Sequence, residues 1–114
     1  MNLLKSYYLY CADILKEHLP YIPEVILTNA KTYYGQAYRN REDGIVFRIS
    51  ISKFNHIDSE WLLDKEDRDD IIDTICHELA HILVWEHNDL HKQFTENFVK
   101  LVNIDSQLRF PDVA

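Results

Sequence analysis

Asp73-Thr-Ile-Cys-His77-Glu78-Leu-Ala-His81-Ile-Leu-Val-Trp85 is the stretch around which the rest of the chain is organised. It carries His-Glu-x-x-His inside an apolar pattern of helical period. Residues four apart on an α-helix lie one turn apart on the same face, so His77 and His81 can present two imidazoles to one metal ion. Glu78 follows His77 by about 100° of turn, within reach of a water on that ion. The combination is that of zinc hydrolases in which the glutamate is the general base. With His77 at zero, His81 falls at about 40°, Thr74 at about 60° and Asp70 and Asp73 at about 20° and −40°. Ile71, Ile72, Ile75, Leu79, Ile82 and Leu83 gather at about 120–240°. The predicted helix therefore has one apolar side and one side of His, Glu, Asp and Thr. A solvated charged face would explain the split, but not two histidines one turn apart beside a glutamate.

A catalytic zinc takes three protein ligands and keeps one position open. His87 and His91 are the candidates for the third. On an unbroken helix they would lie about 9 Å and about 15 Å beyond His81, too far for either to share its metal. The chain must turn back, and Asn88-Asp89 supplies the place, either residue being a good N-cap for a further helix through Leu90, Phe94, Phe98, Leu101 and Val102. The residues alone leave both histidines open.

Working outward, Leu3 to Leu19 reads as an amphipathic helix ended by Pro20 and Pro23. Its tyrosines are expected to pack, and His18 to lie at the surface. Glu24 to Thr28 is a short strand candidate. Thr32 to Arg39 is a second, whose Gly35 signals a bulge or a close backbone approach. Asn40 to Gly44 is a turn with an Asp-Gly hairpin signal, and Ile45 to Ile51 returns as a strand. Strict alternation puts Ile45, Phe47, Ile49 and Ile51 on one buried side, and Val46, Arg48 and Ser50 on the other. Ser52 to Lys65 reads as mixed loop, with His56 a surface residue. The acidic run from Asp64 to Asp70 suits the N-terminus of the motif helix.

The 114 residues carry 12 Lys+Arg against 19 Asp+Glu, a formal charge of −7, which argues against broad nucleic-acid affinity. Arg39, Arg41 and Arg48 leave room for a local basic patch. Cys11 and Cys76 are the only cysteines, and two buried reduced thiols are expected. Lys5 and Asp13 interrupt the apolar residues near the N-terminus, so neither a signal peptide nor a membrane span is expected, and the expected setting is cytoplasmic. No linker or repeat divides the chain, which reads as a single domain over residues 1–114.

Residues 24–98 resemble the SprT-like and YgjP/WLM-like group of small zincin metallopeptidases. The likeness rests on Tyr33-Tyr-Gly35-Gln-Ala-Tyr38, on Ile45-Val-Phe-Arg-Ile-Ser-Ile51, on Ile71-Ile-Asp-Thr-Ile-Cys-His77-Glu78-Leu-Ala-His81, and on a histidine opening the next helix. It implies an α+β minimal zincin fold: an N-terminal helix, a small antiparallel β-sheet or hairpin, the His-Glu-x-x-His helix and a C-terminal helix. It implies one Zn2+ held by His77, His81 and His87, because His87 has the short spacing from His81 seen in the YgjP/WLM branch. The aromatic usual four residues after that histidine is replaced by His91; aligning on Phe94 makes His91 the alternative third ligand. It further implies a peptide hydrolase with Glu78 as general base, acting on a protein or peptide substrate. The hairpin at 32–51 would offer its edge to an extended chain. His91, Tyr33, Tyr34 or Tyr38 would be available to steady an oxyanion. The zinc-ribbon, DNA-binding and partner-binding segments of larger SprT-like proteins have no counterpart here, so a DNA-linked role is not expected and no partner protein is named. The rival expectation is a non-catalytic, zinc-stabilised protein-binding module on the same fold.

Overall fold

The computed structural model describes residues 3–52 and 65–109, and side chains over 4–52 and 68–105. The loop expected at Ser52 to Lys65, with His56, falls almost wholly outside the described residues. Helix α1 spans Leu3–Leu15 and helix α2 Lys65–Ala80, with α3 at Asp89–Arg109. Strands β1 (Glu24–Leu27), β2 (Gly35–Arg39) and β3 (Val46–Ile51) form one sheet in the order β1-β3-β2. This is the expected α+β layout, three helices and a small sheet.

Leu4, Tyr8, Cys11 and Leu15 recur at three- and four-residue steps in α1, and all are essentially fully buried. The α-helix stops at Leu15 and a 3-10 turn, Lys16–His18, carries the chain onward, with Leu19 still in the core. Buried Tyr8 keeps its hydroxyl satisfied by donating to the Pro23 carbonyl at 2.7 Å. Tyr10 ties the far end of α3, donating to Asp105 at 2.7 Å. The expected hairpin forms between β2 and β3, turning at Gly44, whose φ of 71° is the left-handed conformation that glycine adopts without steric cost. β1 pairs with β3 in parallel on the other side, which places β3 between β1 and β2. The sheet is thus mixed rather than wholly antiparallel.

One strand assignment needs correcting. Val46 is buried while Ile45 and Phe47 are 45% and 42% exposed, the reverse of simple alternation. The pairing explains it: Tyr38 faces Arg48 but Arg39 faces Val46, so β3 spends two residues where β2 spends one. Such a bulge inverts the in-out order on one side of it. Ile49 and Ile51, beyond the bulge, are buried as expected.

α2 is the central element, packing on α1, α3, β2 and β3. Ile71, Ile75 and Leu79 are almost completely buried on its apolar side, each contributing about 1.5–3 kcal/mol by leaving water. Cys11 and Cys76 are both buried and free. A hydrogen bond with Cys11, reinforced by burial, raises the pKa of the Cys76 thiol.

Candidate metal centre

α2 stops at Ala80, so the motif straddles the helix end. The N–H of His81 donates to the Glu78 carbonyl at 3.2 Å, and Ile82 and Leu83 continue this tight i→i+3 pattern. That tightening removes the i+4 donor expected at the His77 carbonyl, one of the acceptors orphaned at any helix C-terminus. His91 supplies the replacement: its Nε2–H donates to the His77 carbonyl oxygen at 2.9 Å. Because the helix has ended, Leu83 is 39% exposed instead of lying on the apolar side.

The turn back occurs at the expected place. Asn88 is the N-cap of α3, its Oδ1 accepting the His91 N–H at 2.9 Å. His87 precedes the cap and His91 lies in the first turn of α3, so reversal brings both to the motif. His77 Nε2 lies 3.3 Å from His87 Nε2. Ring nitrogens of His77, His81 and His91 also lie within 4.8 Å of one another, and this trio can hold a metal ion. Four imidazoles therefore converge.

Their spacing can be compared with coordination. Zn–N bonds of about 2.05 Å at tetrahedral angles put two ligand nitrogens about 3.3 Å apart, and their ring centroids about 5.2 Å apart. Ring centroids are separated by 5.1 Å for His77–His81, 5.2 Å for His77–His87 and 4.6 Å for His81–His87. His91 sits tighter, 4.5 Å from His77 and 4.2 Å from His81, nearly parallel to the latter. The donor chemistry fits a borderline metal: nitrogen ligands that stay neutral, one of them, His81, with a buried Nδ1 lacking any hydrogen-bond partner among the described residues. Burial, with the neighbouring imidazoles, lowers His77 and His81 to about 4. His91 is lowered too, again chiefly by burial.

Glu78 is 5% exposed and its Oε1 lies 3.8 Å from His77 Nε2. Burial raises its pKa to about 7, where a carboxyl can both take and return a proton near neutrality. What seats it is Gly35, the first residue of β2. A Cβ there would meet Thr74 Cγ2 at 2.9 Å and Glu78 Cγ at 3.0 Å. The glycine in a Tyr-rich strand, readable as a bulge or a close approach, is the close approach, and the bulge falls elsewhere.

Two of the candidate oxyanion donors are engaged away from the motif. Ser50 Oγ donates to the Tyr33 hydroxyl at 3.5 Å, and the Tyr38 hydroxyl donates to Gln36 at 3.0 Å. Gln36 and Tyr38 alternate with Gly35 and Ala37, so they occupy the sheet face opposite α2. Tyr34 is 63% exposed. A feature that local pattern did not indicate is Arg39, whose guanidinium carbon sits 4.4 Å from the centre of the Trp85 ring. Trp85 in turn is 5.4 Å from His81. The Trp85 position was visible as apolar, but its partner on another element was not.

A histidine cluster that could hold a metal ion stands at the end of a His-Glu-x-x-His helix, backed by the glycine-seated strand β2 in an α+β fold. Over residues 11–107 the chain matches the model of the SprT-like family, and it belongs to that family. Neither the curated proteins nor the solved structures yield a match. Among the described residues no helix is long and apolar enough to cross a membrane.

Proposed function

We propose that the chain is a zinc-dependent peptide hydrolase, with His77, His81 and His87 holding one Zn2+ and Glu78 as general base. The observation that carries the proposal is the pair of spacings around Glu78: Nε2 atoms of His77 and His87 at 3.3 Å, and His77–His81 rings at 5.1 Å. Both match ligands of one tetrahedral ion at about 3.3 Å and about 5.2 Å. Zinc, when bound, supplies Lewis acidity, acidifying a water and polarising the carbonyl under attack.

The chain's own residues do the rest. His77 and His81 stay neutral well below pH 7, so their lone pairs are available to a metal. Glu78 accepts the proton of the attacking water and returns it to the leaving amine. Gly35 holds β2 against Thr74 and Glu78, which fixes the carboxyl and brings an edge of the described sheet alongside the reacting centre. A peptide in extended form can pair with that edge. His91 holds the end of α2 through the His77 carbonyl, which steadies the backbone between the two motif histidines.

The test is zinc content and turnover of the purified chain. Stoichiometric zinc and chelator-sensitive cleavage of unfolded protein are expected. Full turnover by a metal-free Glu78→Gln preparation would overturn the assignment. The rival module, with zinc only stabilising a binding fold, is favoured by one observation, the fourth imidazole at His91. Four protein ligands are the mark of a closed structural site. A hydroxamate that binds the zinc-loaded chain and shifts its Tm would reveal an open position and count against that rival.

A further inference from the structure

We propose that Arg39, braced on Trp85, reads a substrate carboxylate beside the metal centre, so that the site favours acidic peptides. This deepens the hydrolase reading and rests on it for cleavage, though not for binding.

The placement follows from the path of β2. Its first residue, Gly35, lies against Thr74 and Glu78, and its last, Arg39, lies over Trp85, just past the motif. The strand therefore runs alongside the site from the general base to the far side of His81. Gly35, Ala37 and Arg39 share the face toward α2 by the two-residue alternation of a strand. The bulge on β3 falls opposite Arg39, and bulges beside active sites typically re-aim side chains. β2 is an edge of the described sheet, so an extended peptide pairing with it would bring its side chains past His77 and His81 to Arg39.

The chemistry narrows the ligand. Arg39 is exposed, yet among the described residues it has no carboxylate partner; its recorded contact is the aromatic face of Trp85. Nearby Asp43 is occupied in the turn, accepting the Ile45 N–H at 2.8 Å. A guanidinium held over an indole face loses mobility but keeps N–H groups for a planar oxyanion. That fork matches a carboxylate in bidentate fashion. The chain's net charge of −7 would repel acidic peptides at long range, so their recognition must come from a local cation held in place. A side-chain carboxylate of Asp or Glu and a chain-terminal carboxylate share this chemistry.

The experiment uses the zinc-loaded full chain and internally quenched peptides with Glu, Gln or Lys at each position flanking the cleaved bond, each with a free or amidated C-terminus. Wild type is expected to cleave one Glu peptide about tenfold or more better than its Gln counterpart, as a charge-assisted pair would give. Arg39→Gln should reduce that ratio to near one. Arg39→Glu should invert it toward Lys, a change that loss of packing alone would not produce. A preference that follows the free C-terminus instead assigns the carboxylate to the chain end. Cleavage with no acidic preference in wild type, or a preference kept by Arg39→Gln, overturns the proposal while leaving the hydrolase reading intact. In parallel, binding of fluorescein-labelled Glu and Gln peptides to zinc-loaded Glu78→Gln protein is measured with and without Arg39→Gln. Arg39-dependent binding of the Glu peptide, combined with no cleavage of any peptide by the zinc-loaded wild-type chain, would sink the hydrolase reading and sustain the carboxylate site.

Discussion

The two sides of α2 are built on opposite terms. Toward α1 and the inner sheet face lie Ile71, Ile75 and Leu79, almost completely buried and apolar. Toward Gly35 of β2 and the start of α3 lie Glu78, His81 and His91, equally hidden from solvent but polar. The apolar side gains free energy from each group it buries. The polar side is strained electrostatically: burial raises a carboxyl to about 7 and lowers two imidazoles to about 4. The contrast teaches that the helix anchors on one side in order to hold unfavourable groups on the other. A metal ion would relieve the polar side, and mass action would then convert its binding into stability.

The sharpest way to break this comparison is to disable each side in turn. Glu78→Gln should lower turnover by about 10²–10⁴ while zinc content stays near that of wild type. Steady-state cleavage alongside metal analysis checks it, and lost zinc would mean that Glu78 holds the site together rather than serving the reaction. On the other side, Leu79→Ala should destabilise the fold by about 2–5 kcal/mol through the cavity it leaves, read from urea unfolding. A cost below 1 kcal/mol would deny α2 its anchor.

Gly35→Ala joins the two sides, because its methyl would enter the space of Thr74 and Glu78. Overpacking of this kind costs about 1–3 kcal/mol, and turnover should fall further than stability alone explains. Thr74→Ser, by removing the methyl 2.9 Å away, should recover part of the stability in the double variant. Among the histidines, His87→Ala is expected to lower zinc occupancy far more than His91→Ala, whereas His91→Ala should cost more thermal stability in the metal-free chain. The opposite order in zinc content would transfer the third ligand to His91.

The smallest effect is in the pH dependence of the metal-free protein. His77 and His81 are lowered from 6.5 to about 4, so the unfolded chain binds more protons between those values, and their contribution to stability is lost as pH falls through that window. Glu78 is raised from 4.5 to about 7, so its contribution runs the other way and is lost as pH rises from 4.5 through 7. The histidines outnumber the carboxyl, so Tm should climb from pH 4.5 to 6.5. Glu78→Gln should make that climb steeper by deleting the opposing group. An unchanged slope would show that Glu78 is not buried as an acid.

Much of the site's local order is legible in single stretches. The four-residue step from His77 to His81, the apolar row Ile71, Ile75, Leu79 and a cap at Asn88 or Asp89 each follow from the helix repeat or from one side chain reaching its own backbone. The hairpin likewise follows from Asp43-Gly44 between strand-forming runs. What escaped local pattern involved pairing between elements. Phe47 turned outward because the extra residue in a bulge is defined only against the partner strand. The parallel pairing of β1 with β3 was not legible, because the placement of one strand between two others has no signature in any of the three.

The third corner of the candidate metal centre shows where this boundary falls. That His77 and His81 share a helix face with Glu78 beside them follows from the residues in order, because the α-helical repeat is set by backbone geometry. The same order requires the chain to reverse before a later histidine can approach, since an unbroken helix would carry His87 about 9 Å away. That the reversal delivers both His87 and His91, one 3.3 Å from His77 Nε2 and the other onto the His77 carbonyl, depends on how α2 and α3 pack. The angle between two helices, and the frayed end of α2 that frees that carbonyl, arise from packing of whole elements. No interval along the chain encodes them.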